Sequence, residues 1–257
     1  MMTGMSTNTA PRRSRRQETA LWRAPVRRVE RVTPRLARIT VGGEELAGFV
    51  SAGTDQNVML YFYPDGVELP ATLEAARARW STVRPLTRTY TIRRHDPVAH
   101  EIDFDFVLHD AAGPACDWAK HATPGDQLIF VGPSPAYQPD PSADWHLLAG
   151  DETALPAIAA ILDALPPTAD ARVFVEVEDA AEEQPLRAPV TWVHRGAGGS
   201  LTDAVAAAEL PTGRVDAWLA GERSAMVALR AHLLDQRGFD RRAVRPTTYW
   251  RRGEVGS

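Results

Sequence analysis

Six consecutive residues, Arg88-Thr89-Tyr90-Thr91-Ile92-Arg93, carry two guanidinium groups, an aromatic ring and two threonine hydroxyls on one short, β-favouring segment. A strand sends residues 88, 90 and 92 to one side and 89, 91 and 93 to the other, so reaching both a ring edge and a phosphate is easiest where the strand meets a loop. There Arg88 could hold phosphate oxygens bidentately, Tyr90 could lie against an isoalloxazine face, and Thr91 could hydrogen-bond a ring nitrogen. That is equipment for holding a flavin. An exposed strand with solvated arginines accounts for the same six residues equally well.

A chain of 257 residues with 44% apolar residues has room for one large or two smaller globular domains, and two are the expectation. The formal charge of -4 is small, and beyond the first twenty residues arginine and acid are interspersed, which argues against a nucleic-acid surface or a membrane-binding face. Cys116 is the only cysteine, so an internal disulfide and any multi-cysteine zinc or iron-sulfur site are excluded. An organic cofactor is then the expected electron carrier, and no metal ligand set is assigned. Lys120 is the only lysine; arginine supplies the rest of the fixed positive charge. No apolar run approaches the roughly 20 residues that span a bilayer, and the N-terminus lacks the apolar core of a signal peptide, so a cytoplasmic location is expected. Residues 1–20, with Arg12, Arg13, Arg15 and Arg16 among Ser, Thr and Pro, read as a disordered tail. The sequence leaves the oligomeric state open, a monomer included.

Apolar spacing over residues 26–41 fits two β segments broken at Thr33-Pro34, and residues 58–63 read as a buried strand closed by Pro64-Asp65-Gly66. Residues 71–80 suit a helix or a loop. Residues 89–94 and 102–109, with a short connection, are expected to form an antiparallel pair, with Ile102, Phe104, Phe106 and Leu108 on the core face. Gly113-Pro114-Ala115-Cys116-Asp117-Trp118 reads as the entry to a short helix, whose free N–H groups suit a pyrophosphate. Residues 127–131 close the first domain, and 132–143, with four prolines, form a linker. Thereafter strands at 145–149, 172–177, 189–194 and 216–220 alternate with helices at 153–165, 201–208 and 224–237, the pattern of a parallel α/β sheet. The turn Gly150-Asp151-Glu152-Thr153 joins its first strand to its first helix, where such sheets bind nucleotides. It lacks the Gly-x-Gly-x-x-Gly code. Asp151 and Glu152 could be ordinary helix-start acids, and Thr153 a simple cap.

Taken together, Thr33-Pro34-Arg35, the 88–93 stretch, Val107-Leu108-His109, Gly113-Pro114-Ala115, Trp118-Ala119, Pro124-Gly125-Asp126, Gly150-Asp151-Glu152-Thr153-Ala154-Leu155-Pro156, Ala220-Gly221-Glu222 and Tyr249-Trp250-Arg251 resemble the siderophore-interacting protein family, a branch of the ferredoxin-NADP reductase-like flavoproteins. The resemblance runs from about Val32 to Gly253. It implies an N-terminal antiparallel Greek-key β-barrel holding FAD (residues 21–136) and a C-terminal α/β domain holding NADH or NADPH (residues 144–257, ending in an aromatic tail). By resemblance, the FAD residues are Arg88, Thr89, Tyr90, Thr91, Arg93, Val107, His109, Gly113, Pro114, Ala115, Cys116 and Trp118. The nucleotide residues are Gly150, Asp151, Glu152, Thr153, Ala154, Gly221 and Glu222, with Trp250 covering the flavin until nicotinamide displaces it.

The implied reaction passes hydride from NADH or NADPH to FAD and single electrons onward to a ferric siderophore or other acceptor, releasing iron as Fe(II). Cofactors supply that chemistry, so no side chain is assigned as a catalyst. One segment, Asp55-Gln56-Asn57-Val58-Met59-Leu60, departs from the family pattern: Met59 stands where a lysine is expected, and Asn57 where a histidine is common. Arg84, Arg93, Arg245 or Arg251 could supply the missing charge. Glu176, Glu178 and Asp179, near the end of the second strand of the nucleotide domain, favour an unphosphorylated ribose and NADH; Arg195 or Arg223 could reverse that preference. The departure at Met59 keeps open an electron-transfer partner of a biosynthetic oxygenase, and a non-enzymatic siderophore-binding protein is a third reading.

Overall fold

The computed structural model describes residues 19–109, 113–134 and 137–254. The expected N-terminal tail lies almost wholly outside them. The first half is a seven-stranded antiparallel sheet in the order β4-β3-β7-β1-β2-β6-β5, built from β1 (Ala20–Thr33), β2 (Leu36–Gly42), β3 (Asn57–Phe62), β4 (Leu86–Thr91), β5 (Arg94–Asp96), β6 (Glu101–Val107) and β7 (Gln127–Gly132). Thr33-Pro34 breaks β1 from β2 as expected, since proline cannot continue a ladder. The sheet curls until its ends meet across an apolar interior, where Tyr90 on β4 packs on Phe106 on β6 with ring centroids 4.4 Å apart. Phe104 and Phe106 are fully buried there, each contributing roughly 2–3 kcal/mol of apolar burial. Helix α1 (Leu73–Ala78) covers the outer face, and α2 (Pro114–His121) closes one end.

Two sequence expectations are corrected. Residues 89–94 are not one strand paired with residues 102–109. β4 ends at Thr91 and pairs with β3, Met59 opposite Thr89, while β5 pairs with β6. Between them the chain turns a corner, Ile92 donating its N–H to Gln56 and Arg93 donating to Asp103, so that one continuous segment joins the two edges of the curled sheet. Second, β3 is not buried throughout: Val58 and Leu60 face the core, but Met59 is 43% exposed. The outward face of β6 also behaves unexpectedly. Asp103 and Asp105 are buried, because Arg94 and Arg38 lie over them with nitrogen–oxygen distances of 2.8 and 2.7 Å.

The second half is a five-stranded parallel sheet, β10-β9-β8-β11-β12. Its strands are β8 (Trp145–Asp151), β9 (Ala171–Val177), β10 (Val190–His194), β11 (Val215–Glu222) and β12 (Val244–Trp250), with helices α3 (Leu155–Ala164), α4 (Leu201–Ala207) and α5 (Arg223–Ala231). β8, β9 and β10 progress in one direction and β11 and β12 lie on the other side of β8, so the strand order reverses between β8 and β11. That reversal opens a crevice at their carboxyl ends. The expected aromatic tail is strand: Tyr249 and Trp250 close β12, paired in parallel with β11. The proline-rich linker is pinned, with Tyr137 bonded to Thr54 and both Tyr137 and Asp140 bonded to buried Asp216.

Candidate functional site

At the mouth of the curled sheet, Arg88 and Tyr90 share the inner face of β4. Strand pairing sets them opposite buried Leu60 and Val58. Arg88 is half-buried, yet its one side-chain hydrogen bond goes to the carbonyl of its neighbour Thr87, at 2.7 Å, and it has no ion pair among the described residues. Burial pushes the Tyr90 hydroxyl above the usual range, with Cys116 nearby adding to the shift. α2 brings Trp118 to within 5.6 Å of Phe106 and starts at Pro114 with no side-chain cap on Gly113. Cys116 is buried and bonded to the His109 backbone, which Lys120 also holds, Nζ to carbonyl at 2.7 Å. Among the described residues, a half-buried cation without an acid and the N–H groups of Ala115 and Cys116 in the first turn of α2, where Gly113 N–H is already bonded to Asp117, are a donor set for an anionic pyrophosphate, and the neighbouring aromatic surface suits a flavin ring. The residues present therefore fit FAD.

Not every residue of the stretch faces this rim. Thr89 is exposed on the outer face with Met59. Thr91 is buried against the Tyr249 hydroxyl, and Arg93 pairs with Asp163 on α3 at 3.0 Å.

The crevice at the β8–β11 reversal is open and holds about 420 Å³, lined by Asp151, Arg195, Ser200, Glu222, Trp250 and Arg252 among others. Gly150 and Gly221 make it possible by their lack of a side chain. A Cβ on Gly150 would lie 2.4 Å from the Ala220 carbonyl, and one on Gly221, at φ 145°, would lie 2.5 Å from the Asp151 carboxylate. Asp151 ties the crevice together. One oxygen accepts from the Thr153 N–H at 2.9 Å, and the other accepts from the Glu222 N–H at 2.9 Å and the Trp250 indole at 2.8 Å. Burial, then the charge of Glu152, pushes its carboxyl up to about 6. Thr153 is thus not the simple cap allowed above; α3 begins later, at Leu155 behind Ala154. Glu222 caps α5 through Ser224 and Ala225. Burial works against its charge, but hydrogen bonds from Ser224 and the Arg252 and Ala225 backbones hold its pKa below the usual carboxylate range.

Arg195 is drawn into three carboxylates, Glu152 at 2.8 Å, Glu176 at 3.2 Å and Glu178 at 3.3 Å. Hydrogen bonding to Glu152 raises its pKa despite burial. Of the arginines that could replace the charge missing at Met59, Arg93, Arg245 and Arg251 are paired with Asp163, Asp216 and Glu254; Arg84 lies over Trp80.

The two halves meet on contacts the sequence did not reveal. Glu182, buried, accepts from the Thr33 hydroxyl at 2.5 Å and the Arg35 N–H at 3.0 Å. Asp55 accepts from the Trp218 indole at 2.9 Å and the Tyr249 hydroxyl at 2.6 Å. Thr33-Pro34-Arg35 and Asp55 stood in the quoted segments, but their partners lie far along the chain and nothing local marks them. Beside the Glu182 contact a small cavity of about 40 Å³ is lined by Val107 and His109 from the first half and Glu152 and Leu155 from the second. It joins residues assigned to the flavin with residues assigned to the nucleotide.

Comparison with known proteins agrees with this geometry. Residues 25–137 match the siderophore-interacting FAD-binding domain, and residues 143–253 match the siderophore-interacting protein model. The chain is 32% identical to the ferric vibriobactin reductase of Vibrio cholerae, over 87% of this chain and 86% of that protein. It is 31% identical to the NADPH-dependent ferric-chelate reductase of Escherichia coli, over 88% and 91%. A siderophore utilization protein from T. fusca superposes with a TM-score of 0.78 at 36% identity, covering 93% of this chain and 95% of that one. The chain belongs to the siderophore-interacting protein family and is an FAD-binding oxidoreductase.

Proposed function

We propose that this flavin oxidoreductase carries electrons from NADH or NADPH through FAD to the iron of a ferric siderophore, releasing Fe(II) in the cytoplasm. The observation that carries the reading is the cavity between the halves, where Val107 and His109 face Glu152 and Leu155. A flavin held from one side and a nucleotide held from the other would meet there. Relatives named as ferric vibriobactin and ferric-chelate reductases support the acceptor class. Residues 21–136 serve as the flavin domain and 144–257 as the nucleotide domain.

Arg88 and the free N–H groups of Ala115 and Cys116 in the first turn of α2 would hold the pyrophosphate, with Gly113 and Pro114 shaping the approach. Tyr90 and Trp118 supply aromatic surface, and Val107 and His109 line the rest of the site, while Thr89, Thr91 and Arg93, which the resemblance also assigned to FAD, face away from it. Bound FAD supplies the conversion between a two-electron donor and a one-electron acceptor. Around it the chain binds, orients and excludes water. Gly150, Asp151, Glu152, Thr153, Ala154, Gly221 and Glu222 shape the nucleotide crevice, and Trp250 leaves its bond to Asp151 when nicotinamide enters. The net negative cluster around Arg195 favours NADH, because a 2′-phosphate would have to compete with three carboxylates.

A second reading rests on Met59. Its exposed thioether stands where a lysine is expected, and three of the four candidate arginines are already paired, which leaves little free charge for an anionic chelate. On that reading electrons go to a partner oxygenase. The test is steady-state trapping of Fe(II) by a chromogenic chelator. Fe(II) formation that requires nucleotide, FAD-loaded protein and ferric siderophore together supports the reductase; nucleotide oxidation without Fe(II) contradicts it.

A further inference from the structure

Asp55 sits at φ 51°, a left-handed conformation that aspartate tolerates better than most residues. From there its carboxylate crosses from the first half to the second and accepts from two neutral donors, Trp218 Nε1 on β11 at 2.9 Å and the Tyr249 hydroxyl on β12 at 2.6 Å. It forms no ion pair among the described residues. Burial raises its pKa, and the two donors oppose that rise. The Tyr249 hydroxyl also lies beside the side chain of Thr91, at the end of β4. The next residue, Trp250, turns the other way and donates to Asp151 in the nucleotide crevice at 2.8 Å. Consecutive residues of β12 therefore link the flavin strand to the nucleotide turn. Among the interdomain contacts described above, that of Asp55 alone has a partner adjoining both. Glu182 anchors a different seam, through the β1–β2 turn, and Arg93–Asp163 ends on a half-exposed carboxylate.

We propose that Asp55 is a positioning residue, which through Tyr249 sets how Trp250 and the Gly150–Thr153 turn face the Thr91 end of β4. The inference rests on the flavin reading of that strand. Asp55 itself touches neither cofactor. Losing its carboxylate is expected to leave each cofactor bound while misaligning one against the other.

Three variants test this. Asp55→Gly keeps the left-handed backbone and removes the carboxylate, Asp55→Asn keeps the backbone and one acceptor oxygen, and Tyr249→Phe removes the partner hydroxyl. FAD affinity is read by flavin fluorescence, and the limiting rate of anaerobic flavin bleaching by NADH or NADPH by stopped flow. Long-wavelength charge-transfer absorbance reports nicotinamide–flavin stacking, and amide exchange at residues 244–250 is followed in flavin-free protein. For Asp55→Gly, FAD affinity stays within about twofold while the limiting rate falls about 10- to 100-fold, the loss expected of a misplaced donor. The charge-transfer band weakens and exchange at 244–250 quickens. Tyr249→Phe shifts the same readouts in the same direction, and Asp55→Asn recovers most of the rate.

A bleaching rate in Asp55→Gly within about twofold of the parent, with FAD bound normally, overturns the proposal; so does a loss of rate that merely follows lost FAD. Should Asp55→Gly fail to fold, unchanged bleaching in Tyr249→Phe overturns it instead. A parent protein that binds no FAD, or whose FAD no nucleotide bleaches, overturns the function proposed above and this inference with it.

Discussion

The mouth of the curled sheet and the crevice of the parallel sheet treat their polar groups in opposite ways. At the mouth, among the described residues, Arg88 bonds only a neighbouring carbonyl, and in the first turn of α2 the Ala115 and Cys116 N–H groups have no side-chain cap. In the crevice, Asp151, Arg195 and Glu222 are each occupied by partners within the chain. Unspent donors on a rigid rim suit a group that stays bound, since binding breaks nothing. Groups already paired suit a ligand that comes and goes, because every contact it makes displaces an internal one. On the function proposed above, the difference would make FAD the resident and the nicotinamide nucleotide the visitor.

The strongest way to break this contrast is to damage the crevice alone. Gly150→Ala forces a Cβ to 2.4 Å from the Ala220 carbonyl and 2.5 Å from the Ala154 Cβ. It is expected to cost about 3 kcal/mol of stability, by overpacking against backbone. Chemical denaturation measures this, and FAD affinity of the surviving folded protein should not change.

Proton linkage sharpens the contrast further. Burial raises the Asp151 pKa from 3.8 to about 6 in the folded chain. Between those values the folded state binds more protons than the unfolded one, so this group's contribution is most favourable at the acid end and falls as pH rises towards 6. The span is worth up to about 3 kcal/mol. Comparing the pH dependence of unfolding in the parent and Asp151→Asn tests it; the parent should lose stability relative to the variant across that window, and parallel curves would contradict the assignment. Trp250 emission in the folded protein should titrate with a midpoint of about 6.

At the mouth, Arg88→Ala removes an unpaired cation and should weaken FAD binding by about 2 kcal/mol, roughly 30-fold, with the stability of the FAD-free protein unchanged. Equal flavin content in variant and parent would remove Arg88 from the site. The smallest effect concerns the acceptor. Met59→Lys restores one positive charge on an exposed strand and should lower KM for anionic ferric chelates about threefold at low salt, an advantage that added salt erases. No change would mean that the departure at Met59 does not bear on acceptor choice.

Much of this was legible in the sequence because it is periodic or local. Alternation placed Ile102, Phe104 and Phe106 in the core, and the change from strands to alternating strands and helices after residue 143 located the parallel sheet and its Gly150–Thr153 turn. What stayed hidden depended on pairing between distant segments. The corner at Ile92-Arg93 exists because two sheet edges meet there, and the six-residue stretch alone reads as one strand. Thr91 and Arg93 carry groups fit for a cofactor, but Thr91 is buried beside Tyr249 and Arg93 is paired with Asp163, neighbours that no local spacing announces. Glu182 and Asp55 look like surface acids until the halves are brought together.

The central claim, that electrons pass from a nicotinamide nucleotide through FAD to siderophore-bound iron, is tested most directly by anaerobic sequential-mixing stopped flow. FAD-loaded protein is mixed first with NADH or NADPH and then with a panel of ferric siderophores. The account predicts flavin bleaching in the first step, faster with NADH, and reoxidation in the second that matches the Fe(II) formed. Bleaching that no ferric siderophore reverses would contradict it and direct attention to a protein acceptor.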